Sequence, residues 1–256
     1  MKILEVKPNI FLVDAPGPAS NVAYFQTAEG IVLMDTTTSV TEMQDVLDLS
    51  GLSPKDVILV ITTHADGDHV GGNSLFDCPI LAHQLTYNRM KDANRAPSEM
   101  PTKTFSGAEK KLSVGGLDIH LIHKGGHKPD LTMLWLPEQK VLFPSDLVFE
   151  GRYPFMVGSD VQTWIDALQS LSTFGAVAIF PGHGTLCGQE VIDTLIDYMQ
   201  TSWEITAAHI DQGHPLEDIL KDDRLPRPAG WIRENLFETN LQVIFEQASQ
   251  DRGIKV

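Results

Sequence analysis

The sequence predicts an α/β fold of four layers: two β-sheets face to face, helices on both outer sides, and a helical tail. Three observations predict it. Apolar runs of strand length recur at 10–13, 21–25, 31–34 and 57–61, and again at 117–122, 131–136, 141–143 and 176–180. Stretches with helical spacing at 40–50 and 161–174 are set among those strands, one in each half. In each half a strand runs into a loop rich in His and Asp. Strands and helices followed by strands and helices again pack as two sheets with helices outside, and the loops meet at one edge of the sandwich. The length of 256 residues suits one large domain or a domain with an appendage, and 42% hydrophobic residues is ordinary for a soluble globular chain.

Taken in order, residues 3–6 and 10–13 alternate or run apolar and read as strands. The stretch 14–20 holds Pro16, Gly17 and Pro18 and reads as a loop. Residues 21–25 and 31–34 form a hairpin through Ala28, Glu29 and Gly30, and Asp35 closes its second strand. Val40, Met43, Val46, Leu47 and Leu49 fall at near-helical spacing and Gly51 is the stop. Ser53 and Pro54 restart the chain into the β-branched run 57–61. A helix is expected from His69 towards Phe76, then a short strand at 79–82. Residues 84–91 suit a helix, whereas 94–101 contains two prolines and little periodicity. The second half has strands at 117–122, 131–136 and 141–143, the last two joined by a turn at 137–140. A helix follows, with Trp164, Ile165, Leu168 and Leu171 on one face, and then a last strand at 176–180. Residues 189–248 read as helical, with one stripe of Val191, Leu195, Ile196 and Met199. A second stripe holds Trp231, Ile232, Leu236, Leu241, Ile244 and Phe245, and a hinge at 224–230 separates the two. The division expected is 1–188 and 189–256, the second part packed on the first.

The chemistry concentrates in residues 57–73. The run Val-Ile-Leu-Val-Ile ends in Thr-Thr-His-Ala-Asp-Gly-Asp-His, so a strand delivers His64, Asp66, Asp68 and His69 within six residues. Gly67, Gly71 and Gly72 let the backbone turn around whatever those side chains hold. Carboxylates and imidazoles packed this closely repel or desolvate one another unless a cation compensates them. Partners stand downstream, each after a strand-like run: His127 in Lys-Gly-Gly-His-Lys-Pro-Asp, Asp146 in Phe-Pro-Ser-Asp, and His183 in Phe-Pro-Gly-His-Gly.

With these residues the chain resembles the metallo-β-lactamase superfamily, over roughly residues 8–190. That family places a His-x-His-x-Asp-His loop, a lone His, a bridging Asp and a last His in this order, on a fold of the αββα kind. The resemblance implies two divalent metal ions. His64, Asp66 and His127 would hold the first, Asp68, His69 and His183 the second, and Asp146 would bridge them. Asp66 departs from the pattern, which usually has His there. Two divalent ions bring four positive charges, which Asp66, Asp68, Asp146 and a bridging hydroxide offset to about zero. Zinc is the default metal, and the harder anionic set admits iron or manganese as alternatives. Asp35 stands where the family supports the metal loop, and it is equally suited to capping the threonines that follow.

The resemblance implies a dinuclear metal-dependent hydrolase of a small ester, thioester, lactone or lactam acting through a metal-bridging hydroxide, with Asp68 as the catalytic acid–base group. Arg152 and Tyr153, just past the bridging Asp, are candidate substrate contacts. Tyr87 and Arg89 are others, in a segment 84–104 that serves either as a lid, with Met90, Arg95 and Met100, or as a solvated connector. Three alternatives stay open: a phosphoesterase, a diiron redox protein (members with that activity carry an acidic residue at the place of Asp66), and a catalytically silent binding protein. The net charge of −15 and the sparse basic clusters argue against nucleic acid as a partner. No apolar run approaches the roughly 20 residues of a membrane span, and the start of the chain lacks a signal core. The expectation is a cytoplasmic protein with a small-molecule substrate, no nucleic-acid or membrane partner, and a tail that could cap the pocket or make a homodimer. His120, His123, His209 and His214 fit no motif. Cys78 reads as a packed side chain, while Cys187, near His183, reads as either packed or reactive.

Overall fold

The computed structural model describes residues 1–15 and 19–254, so Pro16, Gly17 and Pro18 of the expected loop lie outside the described residues. The first sheet follows chain order: β1 (Lys2–Lys7), β2 (Ile10–Asp14), β3 (Val22–Gln26), β4 (Ile31–Met34), β5 (Val57–Thr62), β6 (Ile80–His83) and β7 (Lys103–Phe105). Pairing is antiparallel from β1 to β4 and parallel from β4 to β7. The second sheet holds β8 (Glu109–Val114), β9 (Leu117–His123), β10 (Thr132–Leu136), β11 (Val141–Phe149) and β12 (Ala178–His183). It is antiparallel except for the β11–β12 pair. Parallel neighbours need crossovers. These are supplied by α1 (Val40–Ser50), α2 (Gly67–Val70), α3 (Gln84–Asp92) and α4 (Val161–Leu171).

Period-two alternation sorts the strands between layers. Ala23 and Phe25 of β3, Val32 and Met34 of β4, Leu134 and Leu136 of β10, and Phe143 of β11 fill the space between the sheets. The residues between them point outward: Tyr24 and Leu33 pack with Met43, Val46 and Leu47 of α1. Met133, Trp135, Leu142 and Ile179 pack with Trp164 and Leu168 of α4. The tail forms α5 (Gln189–Asp211), α6 (Leu216–Ile219) and α7 (Leu236–Asp251). Its Leu195, Tyr198, Met199, Leu241 and Ile244 join that same outer core. Local signals place the crossover helices: Ser39 caps α1 by accepting from the Glu42 N–H at 3.2 Å, Gly51 ends it at φ 68°, and Asp160 caps α4 through the Thr163 N–H at 2.9 Å.

The structure departs from the sequence expectations at four places. The helix expected after His69 stops at Val70, and a 3₁₀ turn follows at Asn73–Leu75. The reason is a close approach: a Cβ on Gly71 would stand 2.0 Å from the Thr38 carbonyl oxygen. There the backbone bonds to residues 36 and 37 instead, with Gly71 N donating to Thr37 O at 2.9 Å. The strand at 141–143 runs on through Asp146 to Phe149 with a bulge, Ser145 taking φ 52°. Trp231 and Ile232 lie before α7 in an extended segment rather than on it, and Ile232 bridges Arg152. Strands β7 and β8 add to the expected set. No helix among the described residues is long and apolar enough to cross a membrane.

Candidate metal centre

The edge of the sandwich gathers five chain segments. β5 ends into a loop that carries His64 and Asp66, and α2 places Asp68 and His69 one turn on. His127 sits in the loop between β9 and β10, Asp146 at the bulge of β11, and His183 at the end of β12. Asp146 is central. Its Oδ2 lies 3.9 Å from His64 Nε2, 3.5 Å from His127 Nε2 and 3.4 Å from His183 Nε2, while its Oδ1 lies 3.2 Å from His69 Nε2. Asp68 Oδ2 stands 3.2 Å from His183 Nε2 and 3.8 Å from His69 Nε2. Two groups therefore form, His64–His127–Asp146 and Asp68–His69–His183, each close enough to hold an ion. Asp66 Oδ2 faces the first group, 3.8 Å from His64 Nε2 and 3.7 Å from His127 Nε2.

The donor atoms fit a metal on two grounds. The Nε2 atoms of His64, His69 and His127 and Oδ1 of Asp146 are buried without an aligned hydrogen-bond partner, an arrangement that calls for a cation or water to satisfy it. Ligands about 2.0–2.1 Å from one ion in a tetrahedron stand about 3.4 Å apart, and the separations found here are 3.2–3.9 Å.

Imidazole orientation is set from behind. Asp35 Oδ2 accepts from His69 Nδ1 at 2.7 Å and from Thr63 Oγ1 at 2.8 Å, and Oδ1 accepts from Thr63 N at 2.8 Å. A carboxylate on Nδ1 sets the neutral tautomer in which His69 Nε2, aimed at the centre, is the atom that can ligate. Asp35 thus supports the loop; the alternative capping role belongs to Ser39. His64 Nδ1 meets Thr63 Oγ1 at 3.0 Å, and that hydroxyl also meets Ser145 Oγ at 2.9 Å.

Burial holds His64 well below its ordinary pKa, with His69 adding to the effect, and burial also lowers His127. Burial is the largest influence on His69 and His183 and opposes their charge, but the carboxylates around them, Asp146 with Asp35 and Asp68 at His69 and Asp146 with Asp68 at His183, together outweigh it and both are raised. Burial would raise Asp66, Asp68 and Asp146, yet the imidazoles around them, with Lys128 and Arg89 at Asp66, keep all three below the usual carboxylate range.

A cavity of about 430 Å³ opens over the centre. Asp66, Asp68, Asp146 and His183 line it at the centre, with Phe149, Tyr153 and Phe155, with Arg152, Arg233 and Leu236, and with Thr38, Ala65 and Gly67. The walls come together because Ile232 N donates to Gly151 O at 3.0 Å and Tyr153 N donates to Ile232 O at 3.1 Å. Of the substrate candidates, Arg152 and Tyr153 line this cavity. Tyr87 and Arg89 do not: Arg89 turns its guanidinium to Asp66 and Asp130. Tyr87, two residues away and so about 200° around the helix, faces elsewhere. No part of 84–104 lines the cavity, whose remaining wall is the segment before α7.

Sequence reasoning missed Asp130, Lys128, Ser145 and Arg233. Asp130 and Lys128 lie in the same Gly-Gly-His-Lys-Pro-Asp run as His127, a usable signal; Arg233 carries none. Burial, with Glu150 and Glu190 nearby, pushes the Cys187 thiol up to about 12, which disfavours the reactive thiolate, and its Sγ donates to the Ile179 carbonyl at 3.6 Å.

Residues 15–183 match the sequence profile of the Metallo-beta-lactamase superfamily. Beta-lactamase-like protein 2 homolog of Caenorhabditis elegans is 28% identical over 193 residues, 72% of this chain; the match spans 63% of that relative's length. Among solved structures, a metallo-beta-lactamase from Pontibacter korlensis aligns with a TM-score of 0.69 at 22% identity, over 78% of this chain and 98% of that one. A sec-alkyl sulfatase double mutant aligns with a TM-score of 0.81 at 17% identity, over 96% of this chain and 50% of that one.

Proposed function

The chain belongs to the metallo-beta-lactamase superfamily, and from that premise we propose that it is a metal-dependent hydrolase of a small ester, thioester, lactone or lactam. The observation that carries this reading is Asp146 standing 3.2–3.9 Å from the Nε2 atoms of all four histidines of the two groups, with Nε2 of His64, His69 and His127 buried and lacking an aligned partner, at the floor of a substrate-sized cavity. His64, Asp66 and His127 would hold one ion, Asp68, His69 and His183 the other, with Asp146 between them. When bound, two such ions supply a water acidified towards neutral pH and Lewis-acid stabilisation of a developing oxyanion.

The chain's own residues do the rest. Asp68 stands between the centre and the cavity, ionised, with its carboxylate placed to accept a proton and return it to a leaving group. Phe149, Tyr153, Phe155 and Leu236 exclude water and receive an apolar substrate body. Arg152 and Arg233 put positive charge on the rim, which favours a substrate that also bears an anionic group.

Elemental analysis of protein purified without added metal or chelator tests the reading, followed by a panel of thioester, lactone, lactam, phosphodiester and alkyl sulfate substrates. About two equivalents of zinc and turnover of an acyl substrate are expected. Turnover confined to the phosphodiester or the sulfate would overturn the acyl assignment. Substantial iron with visible-region absorbance would favour the diiron reading, and absence of metal uptake would remove the mechanism.

A further inference from the structure

The charge count made from the ligands alone omits two cations that the fold brings to Asp66. Arg89, on α3, forks between two carboxylates: Nη2 donates to Asp66 Oδ1 at 2.8 Å and Nη1 donates to Asp130 Oδ1. Asp130 is fully buried, and its other oxygen accepts from the Ala65 N–H at 2.9 Å, in the peptide between His64 and Asp66. Arg89 is therefore locked to the backbone of the very loop it serves. On the other side, Lys128 is buried, donates to the Val157 carbonyl, and stands with Nζ 3.8 Å from Asp66 Oδ2. One oxygen of Asp66 is thus spent on Arg89, while the other points at His64 and His127. Two cations face two carboxylates, so the charge that Asp66 adds is cancelled locally.

We propose that Arg89 is a positioning residue for the first metal position. It presents Asp66 to His64 and His127 through a single oxygen, and with Lys128 it neutralises that carboxylate, so the position selects zinc much as a set of neutral ligands would and is not redirected to iron or manganese. A guanidinium fork suits the task, because it fixes two carboxylates in one plane where an ammonium supplies only a point charge. The proposal rests on the metal-centre reading above.

The test uses metal-free wild type, Arg89→Met, Arg89→Lys and Lys128→Met. Zinc is titrated against a chromophoric chelator. The metals retained from an anaerobic equimolar mixture of Zn(II), Fe(II) and Mn(II) are then counted by elemental analysis. Arg89→Met is expected to bind one of two zinc equivalents about 10- to 100-fold more weakly, the usual cost of losing an outer hydrogen-bond partner. Arg89→Lys should recover part of the affinity, and both Arg89→Met and Lys128→Met should retain more iron or manganese than wild type. Because Arg89→Met leaves the buried Asp130 without its cation, the double variant Arg89→Met/Asp130→Asn and Lys128→Met decide the matter should the single variant fail to fold by circular dichroism. Wild-type zinc affinity and metal selectivity in the folded variants overturn the clamp alone. A wild type that takes up no metal overturns the metal-centre reading and the clamp with it.

Discussion

Replacing Asp35 by Asn tests how the second metal position is built. Asp35 is buried at φ 58°, a left-handed backbone conformation that Asn adopts readily and Ala does not. Asn therefore isolates the side-chain chemistry from backbone strain. The carboxylate accepts three hydrogen bonds, from Thr63 N, Thr63 Oγ1 and His69 Nδ1. An amide has one accepting oxygen. Among the described residues Asp35 Oδ1 is the partner of Thr63 N, which claims that oxygen, so the amide –NH₂ faces His69 Nδ1. Two N–H groups cannot face each other at 2.7 Å. The imidazole must move its proton to Nε2, which is the atom aimed at Asp146 and the ion. The protonated Nε2 cannot ligate. Loss of such a partner costs about 10- to 100-fold in metal affinity, or about 1.4–2.7 kcal/mol. The assay is zinc titration of the metal-free variant against a chelator, with thermal melts of metal-free and metal-loaded protein. One equivalent should weaken by that factor while the other keeps its affinity. Equal affinity of both equivalents in Asp35→Asn and wild type would refute the assignment of His69 Nε2 as a ligand.

Two further outcomes are expected. Asp68→Asn should keep an oxygen for the ion but lose the proton acceptor, so turnover should fall about 10²- to 10⁴-fold while metal content, read by elemental analysis, falls far less; equal losses would reduce Asp68 to a plain ligand. Acidification should empty the two positions in order. His69 and His183 bind protons more tightly than the ordinary value of 6.5, whereas His64 and His127 bind them less tightly. An ion must displace those protons, so the Asp68–His69–His183 position should lose zinc first as pH falls towards about 6.5. The sign for the metal-free fold is opposite: the stability contributed by His69 and His183 is present below about 6.5 and lost as pH rises through their raised values. Simultaneous release of both equivalents over a pH series would count against this order.

Why some of this was legible beforehand follows from where each signal lives. Strand β3 could be read because Ala23 and Phe25 face one layer and Val22 and Tyr24 the other, which writes both periods and both burials into one apolar run. Strand β8 could not, because Glu109, Lys111 and Ser113 are exposed and Lys110 occupies an inward position on an edge strand, so alternation is blurred by the charges that protect the edge. The helix expected after His69 failed for a reason outside its own window. Gly71 and Gly72 look like tolerable helix residues, and only the approach of Thr36, Thr38 and Met43 makes them necessary where they are. Trp231 and Ile232 match a helical stripe, but Ile232 is claimed by backbone pairing with residues 151–153 and the Trp231 ring packs edge-on against Tyr153, contacts roughly 80 positions away in sequence.

The site shows the same division more sharply. Groups that must touch an ion are restricted to a few residue types in tight local spacing, so His64, Asp66, Asp68 and His69 announce themselves, and His127, Asp146 and His183 follow from strand ends. Groups that act through a neighbour need only charge and reach. Arg89 looks like a surface residue of a nine-residue helix until the fold sets Asp66 and Asp130 against it. Its place in the sequence reading as a substrate contact, and not as the partner of Asp66, changes the chemistry inferred, because a charge count over the ligands alone makes Asp66 an added negative charge, whereas a count over the folded site makes it one member of a neutral quartet with Arg89, Lys128 and Asp130. Metal preference follows the field at the ion, and that field is set by groups that no ligand motif contains. An aspartate at position 66 is accordingly a statement about Arg89 and Lys128 as much as about the metal. A chain in this family with the aspartate but without cations at these two places would be the one to redirect towards harder metals.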